Sequence, residues 1–83
     1  MNDVEQRISQ IIGRLFGIDD DKITPAADFR YDMSADSLDL IDLTLSVEDA
    51  FGIEIAEEAA EELHTVGDLI AFVRARRAAL QAA

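Results

Sequence analysis

The sequence predicts a small all-α bundle of three main helices plus one short helix, with a long loop after the first helix. Apolar residues recur at helical spacing in three stretches of the 83-residue chain. A glycine follows the first two of these stretches, where a left-handed residue commonly ends a helix. The chain is short enough for one domain only, so we treat residues 1–83 as a single domain.

The first predicted helix ends at Phe16, before Gly17, and Asn2 with Glu5 forms a capping-box pattern at its start. Its expected buried face follows the i, i+4, i+7, i+8 spacing. That face consists of Val4, Ile8, Ile11, Ile12, Leu15 and Phe16. Residues 18–35 have no helical period. A loop this long in so small a domain is unusual and often functional.

The second predicted helix starts at Asp36 or Ser37 and runs to about Phe51, with Asp36 as its N-cap. It carries apolar residues on two sides, which is more than one core-facing stripe requires. The arc expected to face the core consists of Leu40, Leu43, Val47, Ala50 and Phe51. The opposite apolar stripe consists of Leu38, Ile41 and Leu45, and the acids beside it are Asp42, Asp49 and Glu48. We interpret this stripe as an exposed apolar patch rimmed by carboxylates, which is typical of a protein interaction surface.

The remaining chain predicts two further helices. Residues 56–63 are too polar and too short for more than a brief third helix. The last helix opens at Thr65, with Asp68 as its capping partner. Its expected buried face consists of Val66, Leu69, Ile70, Val73 and Leu80.

The charge of the chain limits the classes of partner that it can bind. Seven basic and 18 acidic residues give a net charge of −11, which repels phosphate backbones and excludes nucleic acid as a partner. No Lys or Arg lies between Arg30 and Arg74, so basic surfaces or cations are the expected partners. The sequence has no transmembrane run, no secretory signal pattern and no cysteine, so we expect a cytoplasmic protein that does not insert into membranes.

The residue types needed for a catalytic or metal site are sparse. His64 is the one histidine, and neither a G-x-S-x-G turn nor a zinc ligand set accompanies it. The acidic run 19–21 does not continue as an EF-hand loop, because Ile23 and Thr24 occupy the third ligand and glycine positions. We therefore expect no catalytic residue, no metal site and no enzyme. Weak divalent binding by the acidic middle, as in a regulatory domain, stays open.

The segment 35–39, Ala-Asp-Ser-Leu-Asp, resembles the modification site of acyl carrier proteins. The segments 47–48, 50–55 and 65–69 are similar to the helix, connector and last helix start of that family, and Phe29 fits its loop. The resemblance covers about residues 4–73. It implies a stand-alone acyl carrier domain with 4′-phosphopantetheine, from coenzyme A, bound covalently to Ser37.

This resemblance implies a function as a carrier. Acyl intermediates would be held as thioesters and presented to partner enzymes of fatty-acid, lipid or polyketide synthesis, with the protein a monomer. A phosphopantetheinyl transferase, and acyl-loading and acyl-processing enzymes with basic patches, would dock on the second helix. The residues implied in recognition are Asp36, Leu38, Asp39, Ile41, Asp42, Leu45, Glu48 and Asp49. A short acyl chain folded between the helices would contact Leu43, Val47, Phe51, Ile55, Ala60 and Ile70.

Several positions depart from the family pattern. Ser34 stands where a glycine is usual, which puts a glycine-dependent turn in doubt. Arg30 and Tyr31 bring a positive charge and a ring into a loop that is usually more acidic, and Asp42 is shorter than the usual glutamate. These changes leave a specialised carrier open beside the housekeeping type. A peptidyl or aminoacyl carrier, and a non-carrier acidic helical interaction module, are the alternative functions.

Overall fold

The computed structural model describes residues 3–82, which adopt an all-α fold. In chain order the elements are α1 (Asp3–Phe16), a 3₁₀ turn (Asp20–Lys22), α2 (Ser37–Phe51), α3 (Glu57–Ala60) and α4 (Val66–Ala82). The predicted plan of three long helices, one short helix and a long loop after α1 is confirmed. The predicted cap Asn2 lies outside the described residues. Within residues 3–82 no helix combines the length and apolar character needed to cross a membrane.

Both glycine stops are present as predicted. Gly17 has φ +65° and its N–H donates to the carbonyl of Gly13 at 2.9 Å. Gly52 has φ +63° and its N–H donates to the carbonyl of Glu48. A left-handed residue at this point satisfies a helix-end carbonyl and turns the chain away, so each helix ends where its apolar period ends.

One core joins α1, α2, α4 and the loop before α2. Its buried residues are Val4, Ile8, Ile12, Ile23, Ala27, Phe29, Ala35, Leu43, Val47, Ile53, Ile55, Val66, Leu69, Ile70 and Val73. Two predicted core residues, Leu15 and Leu80, are exposed instead. Each lies in or near the last turns of its helix, where the period continues but no neighbouring element covers the side chain.

The loop before α2 is fixed to the start of α4. The N–H of Phe29 donates to the carbonyl of His64 at 2.9 Å, and its side chain is only 2% exposed. The N–H of Gly67 donates to the carbonyl of Pro25 at 2.9 Å. A Cβ at Gly67 would lie 3.0 Å from that same oxygen, so the approach requires glycine. The segment that leads into α2 is thereby held at two points, Pro25 and Phe29.

Candidate functional site

Ser37 is the first residue of α2, and it is exposed. The helix is capped by its acidic neighbours: Asp36 Oδ1 accepts from the N–H of Asp39 at 2.9 Å, and Asp39 Oδ2 accepts from the N–H of Asp36 at 3.1 Å. This reciprocal pair confirms Asp36 as the N-cap. The Ser37 hydroxyl makes no hydrogen bond within residues 3–82, so it is available for covalent chemistry.

The turn ahead of this site contains a serine in a conformation that favours glycine. Ser34 has φ +55°, a left-handed value, and it is the one non-glycine residue of positive φ in the described chain. The next residue, Ala35, is buried, and its N–H donates to the carbonyl of Phe29 at 2.9 Å. The turn that the missing glycine put in doubt therefore forms with serine, at a cost in backbone strain.

A groove of about 470 Å³ opens beside Ser37 and runs between α2 and α3. Its apolar lining consists of Phe29, Leu40, Ile41, Leu43, Leu45, Ile55, Ala60, Leu63 and Leu69. Its polar lining consists of Arg30, Ser37, Thr44, Glu48, Glu57 and Glu61. The groove thus joins an exposed hydroxyl to an apolar space.

The groove includes three of the six residues expected to contact a short acyl chain. Leu43, Ile55 and Ala60 line the groove, but Val47, Phe51 and Ile70 do not. Val47 and Ile70 are buried in the core. Phe51 is packed instead under the guanidinium groups of Arg7 and Arg77, which lie 5.1 and 5.7 Å from its ring centroid.

Sequence reasoning missed several residues of the groove. Phe29 and Leu63 come from segments without helical period, so no pattern pointed to them. Leu69 lies in the core and Leu40 packs against it, as their spacing predicts, and the groove borders that edge of the core.

The second apolar stripe of α2 faces solvent, as predicted. Leu38, Ile41 and Leu45 are 71%, 52% and 56% exposed. Asp42 and Asp49 are also exposed, whereas Asp39 is half-buried by its capping contact. We call Leu38, Ile41, Leu45, Asp42 and Asp49 the α2 face. An apolar stripe with carboxylates beside it suits a partner that combines apolar and basic groups.

Glu48 does not belong to this face, contrary to the prediction of a solvent-facing side chain. It is half-buried and lines the groove. Its Oε2 accepts a hydrogen bond of 2.7 Å from the N–H of Ile55. This carboxylate therefore holds the connector after α2.

Comparison with known proteins agrees with the geometry. The family described as "Phosphopantetheine attachment site" matches residues 6–73. An acyl carrier protein from Enterococcus faecalis is similar in structure, with a TM-score of 0.78 and 34% sequence identity. The likeness covers 88% of this chain and 92% of that one. The chain belongs to the acyl carrier protein family. The prosthetic group of such carriers is a covalently bound 4′-phosphopantetheine.

The residues of this carrier fit that group. The N–H groups of Ser37 and Leu38 have no acceptor among the backbone hydrogen bonds of residues 3–82, so the positive end of the α2 dipole is open toward an anion. Asp36 and Asp39 place two carboxylates beside it. The negative charge of these two carboxylates partly offsets the attraction of the helix end for an anion.

The acidic residues and His64 were the other candidates for ligand binding in this carrier. Within residues 3–82 no three Asp, Glu or His side chains group closely enough to hold a metal ion. His64 is exposed, and its carbonyl accepts the hydrogen bond from Phe29 that anchors the loop.

Proposed function

We propose that the protein carries acyl intermediates as thioesters on a 4′-phosphopantetheine arm attached to Ser37. The intermediates would belong to fatty-acid, lipid or polyketide synthesis. The observation that carries the proposal is an exposed, unbonded Ser37 hydroxyl at the first turn of α2, at the mouth of an apolar groove. The arm supplies a terminal thiol when bound, and no protein thiol competes with it because the chain has no cysteine.

The protein itself is not an enzyme under this proposal. The Ser37 hydroxyl needs a base to become a nucleophile, and no side chain hydrogen-bonds to it within residues 3–82. A phosphopantetheinyl transferase supplies that base, with magnesium and coenzyme A. Asp36 and Asp39, which flank the serine, orient the transferase.

The α2 face is the proposed docking surface for this transferase and for acyl-loading and acyl-processing enzymes. Its exposed apolar stripe contributes contact area, while Asp42 and Asp49 attract basic patches. The net charge of −11 favours partners with basic surfaces and disfavours nucleic acid as a partner. We place the carrier in the cytoplasm as a monomeric single domain.

The groove is the proposed space for the cargo. Leu43, Ile55 and Ala60 line it together with Phe29 and Leu69. An apolar chain placed there would leave water at a gain of about 0.8 kcal/mol for each buried methylene. The apolar part of the lining therefore supports an acyl chain as the cargo.

The decisive experiment is a mass measurement. The apo protein is incubated with coenzyme A, magnesium and a transferase of broad specificity, and the intact mass is recorded. We expect the wild type to gain one phosphopantetheine, Ser37→Ala to gain none, and Ser34→Ala, a matched exposed serine, to gain one. A wild type that gains nothing would support an acidic interaction module instead.

A further inference from the structure

Arg30 is the one positively charged residue that lines the groove with Ser37. The other charged residues of the lining are Glu48, Glu57 and Glu61. The Arg74–Glu5 contact of 3.0 Å is the one ion pair within residues 3–82, so Arg30 has no carboxylate partner in that part of the chain. A cation that neutralises no protein carboxylate is open to an external anion.

The backbone of Arg30 is fixed at the groove by a set of short hydrogen bonds. Its N–H donates to Asp28 Oδ1 at 2.8 Å. The N–H of Asp28 donates to Asp32 Oδ2 at 2.6 Å, and the buried Phe29 is tied to His64. The carboxylates of Asp28 and Asp32 are thus engaged with backbone N–H groups. The loop presents the exposed Arg30 side chain from a defined position.

We propose that the guanidinium of Arg30 pairs with the phosphodiester of the arm on Ser37 and biases the arm toward the groove. The inference rests on the proposed attachment at Ser37. A guanidinium presents a planar fork of donors that matches two phosphate oxygens. The acids Asp36 and Asp39 flank the serine and repel the same anion, so the cation on the groove side gives the arm a preferred direction.

The test observes the phosphorus atom of the arm directly. The ³¹P spectrum and relaxation of the cargo-free holoprotein are recorded for the wild type, Arg30→Gln, Arg30→Lys and Lys22→Gln. Lys22 is a matched control, because it is an exposed cation that lines a different groove. An exposed ion pair shifts such an equilibrium by about two- to five-fold.

We expect the phosphorus of the arm to reorient faster in Arg30→Gln than in the wild type. Its ³¹P chemical shift should also change, in proportion to the lost population of the pair between residue 30 and the phosphodiester. Arg30→Lys should lie between Arg30→Gln and the wild type, and Lys22→Gln should match the wild type. Salt near 1 M, where the Debye length is about 3 Å, should move the wild type toward Arg30→Gln. Spectra that are identical in the wild type and Arg30→Gln at low salt would overturn the pairing.

The outcomes separate this inference from the proposed function. Attachment to Ser37 is established by mass before the spectra are recorded, and a wild type that gains no arm overturns both proposals. A loaded arm whose phosphorus ignores Arg30 overturns the pairing alone. An effect of Arg30→Gln that appears only after loading of a carboxylate-bearing cargo also overturns it, because the anion would then be the cargo.

Discussion

The carboxylate of Glu48 accepts a 2.7 Å hydrogen bond from the backbone N–H of Ile55, seven residues further along the chain. The bond crosses the turn at Gly52 and fixes the connector against the end of α2. Since the connector supplies Ile55 to the groove, the same bond positions part of the groove wall. A charged residue that the sequence assigned to partner recognition thus has a structural contact.

Removal of this acceptor should destabilise the domain. Glu48→Ala leaves the N–H of the buried Ile55 without its partner, so we expect a loss of about 1–3 kcal/mol in the free energy of unfolding. Glu48→Gln keeps an acceptor oxygen and should lose less stability than Glu48→Ala. Asp49→Ala, at an exposed neighbour, should stay within about 0.5 kcal/mol of the wild type. Urea denaturation measures all three, and equal losses for Glu48→Ala and Asp49→Ala would contradict the contact.

The two apolar sides of α2 should respond differently to truncation. Leu43→Ala removes a buried side chain and should cost about 2–5 kcal/mol. Ile41→Ala and Leu45→Ala remove exposed side chains, so each should cost under about 1 kcal/mol and mainly weaken the complex with the transferase. Unfolding and transferase kinetics on the same variants make the comparison. If Ile41→Ala or Leu45→Ala unfolds the domain as readily as Leu43→Ala, the stripe belongs to the core.

Charge reversal on the α2 face should slow association. Asp42→Lys with Asp49→Lys turns attraction toward a basic partner into repulsion, while Glu48 is left in place to preserve the connector. Exposed charges act mainly on the association rate and its salt dependence, so both should fall. Stopped-flow binding to the transferase at several ionic strengths measures the effect. Glu62→Lys is the control, because that exposed acid lies outside the face.

Ser34→Gly should stabilise the protein. The left-handed φ of +55° costs a residue with a Cβ about 1–2 kcal/mol, and glycine removes that cost. Because glycine also gains entropy in the unfolded chain, the net gain should be about 0.5–1 kcal/mol. Thermal melts compare Ser34→Gly with Ser34→Ala, which keeps the backbone strain and should be no more stable than the wild type. A Ser34→Gly variant no more stable than Ser34→Ala would rule out strain at this turn.

Asp68 should make stability depend on acid pH. Hydrogen bonds from the backbone N–H of His64 at 3.1 Å and of Thr65 at 3.2 Å hold the pKa of Asp68 below its ordinary value of 3.8. The folded state therefore favours the carboxylate, and this stabilisation is present above pH 3.8 and lost as the pH falls through the lower folded pKa. Asp68→Asn should melt below the wild type at pH 7 by a margin that shrinks toward pH 3. Asp49→Asn is the control, because its difference in melting temperature from the wild type reports the relief of charge repulsion alone. A difference between Asp68→Asn and the wild type that stays constant with pH would contradict the lowered pKa of Asp68.

The local signals of the sequence were sufficient to place the helices and to place Ser37 at the start of α2. Gly17 and Gly52 fixed two helix ends, and Asp36 with Ser37 fixed the start of α2. Periodicity failed at Leu15 and Leu80, because a repeat reports which side of a helix is apolar but not how far its neighbours extend.

The groove needed information that is not local. Phe29 reaches it because its backbone bonds to His64, which lies 35 positions further along the chain, and no spacing rule encodes such a contact. Glu48 is on the border of the exposed stripe by helical angle, yet its length lets it turn back to the Ile55 N–H. Sequence reasoning therefore failed for residues whose hydrogen-bond partners lie far along the chain or across a turn.

The four-residue helix α3 bears on the size of the acyl cargo that the groove is proposed to hold. Its N-terminus has no side-chain cap, whereas the loop that supplies Phe29 is held by backbone bonds from the N–H of Phe29 to His64 and from the N–H of Gly67, in α4, to Pro25. We therefore expect α3 to yield before the wall that includes Phe29, since short uncapped helices yield first. A bulkier acyl chain would widen the cleft by moving α3 outward, while the attachment point and the α2 face keep their positions. A partner enzyme could thus meet the same surface whatever the length of the chain inside.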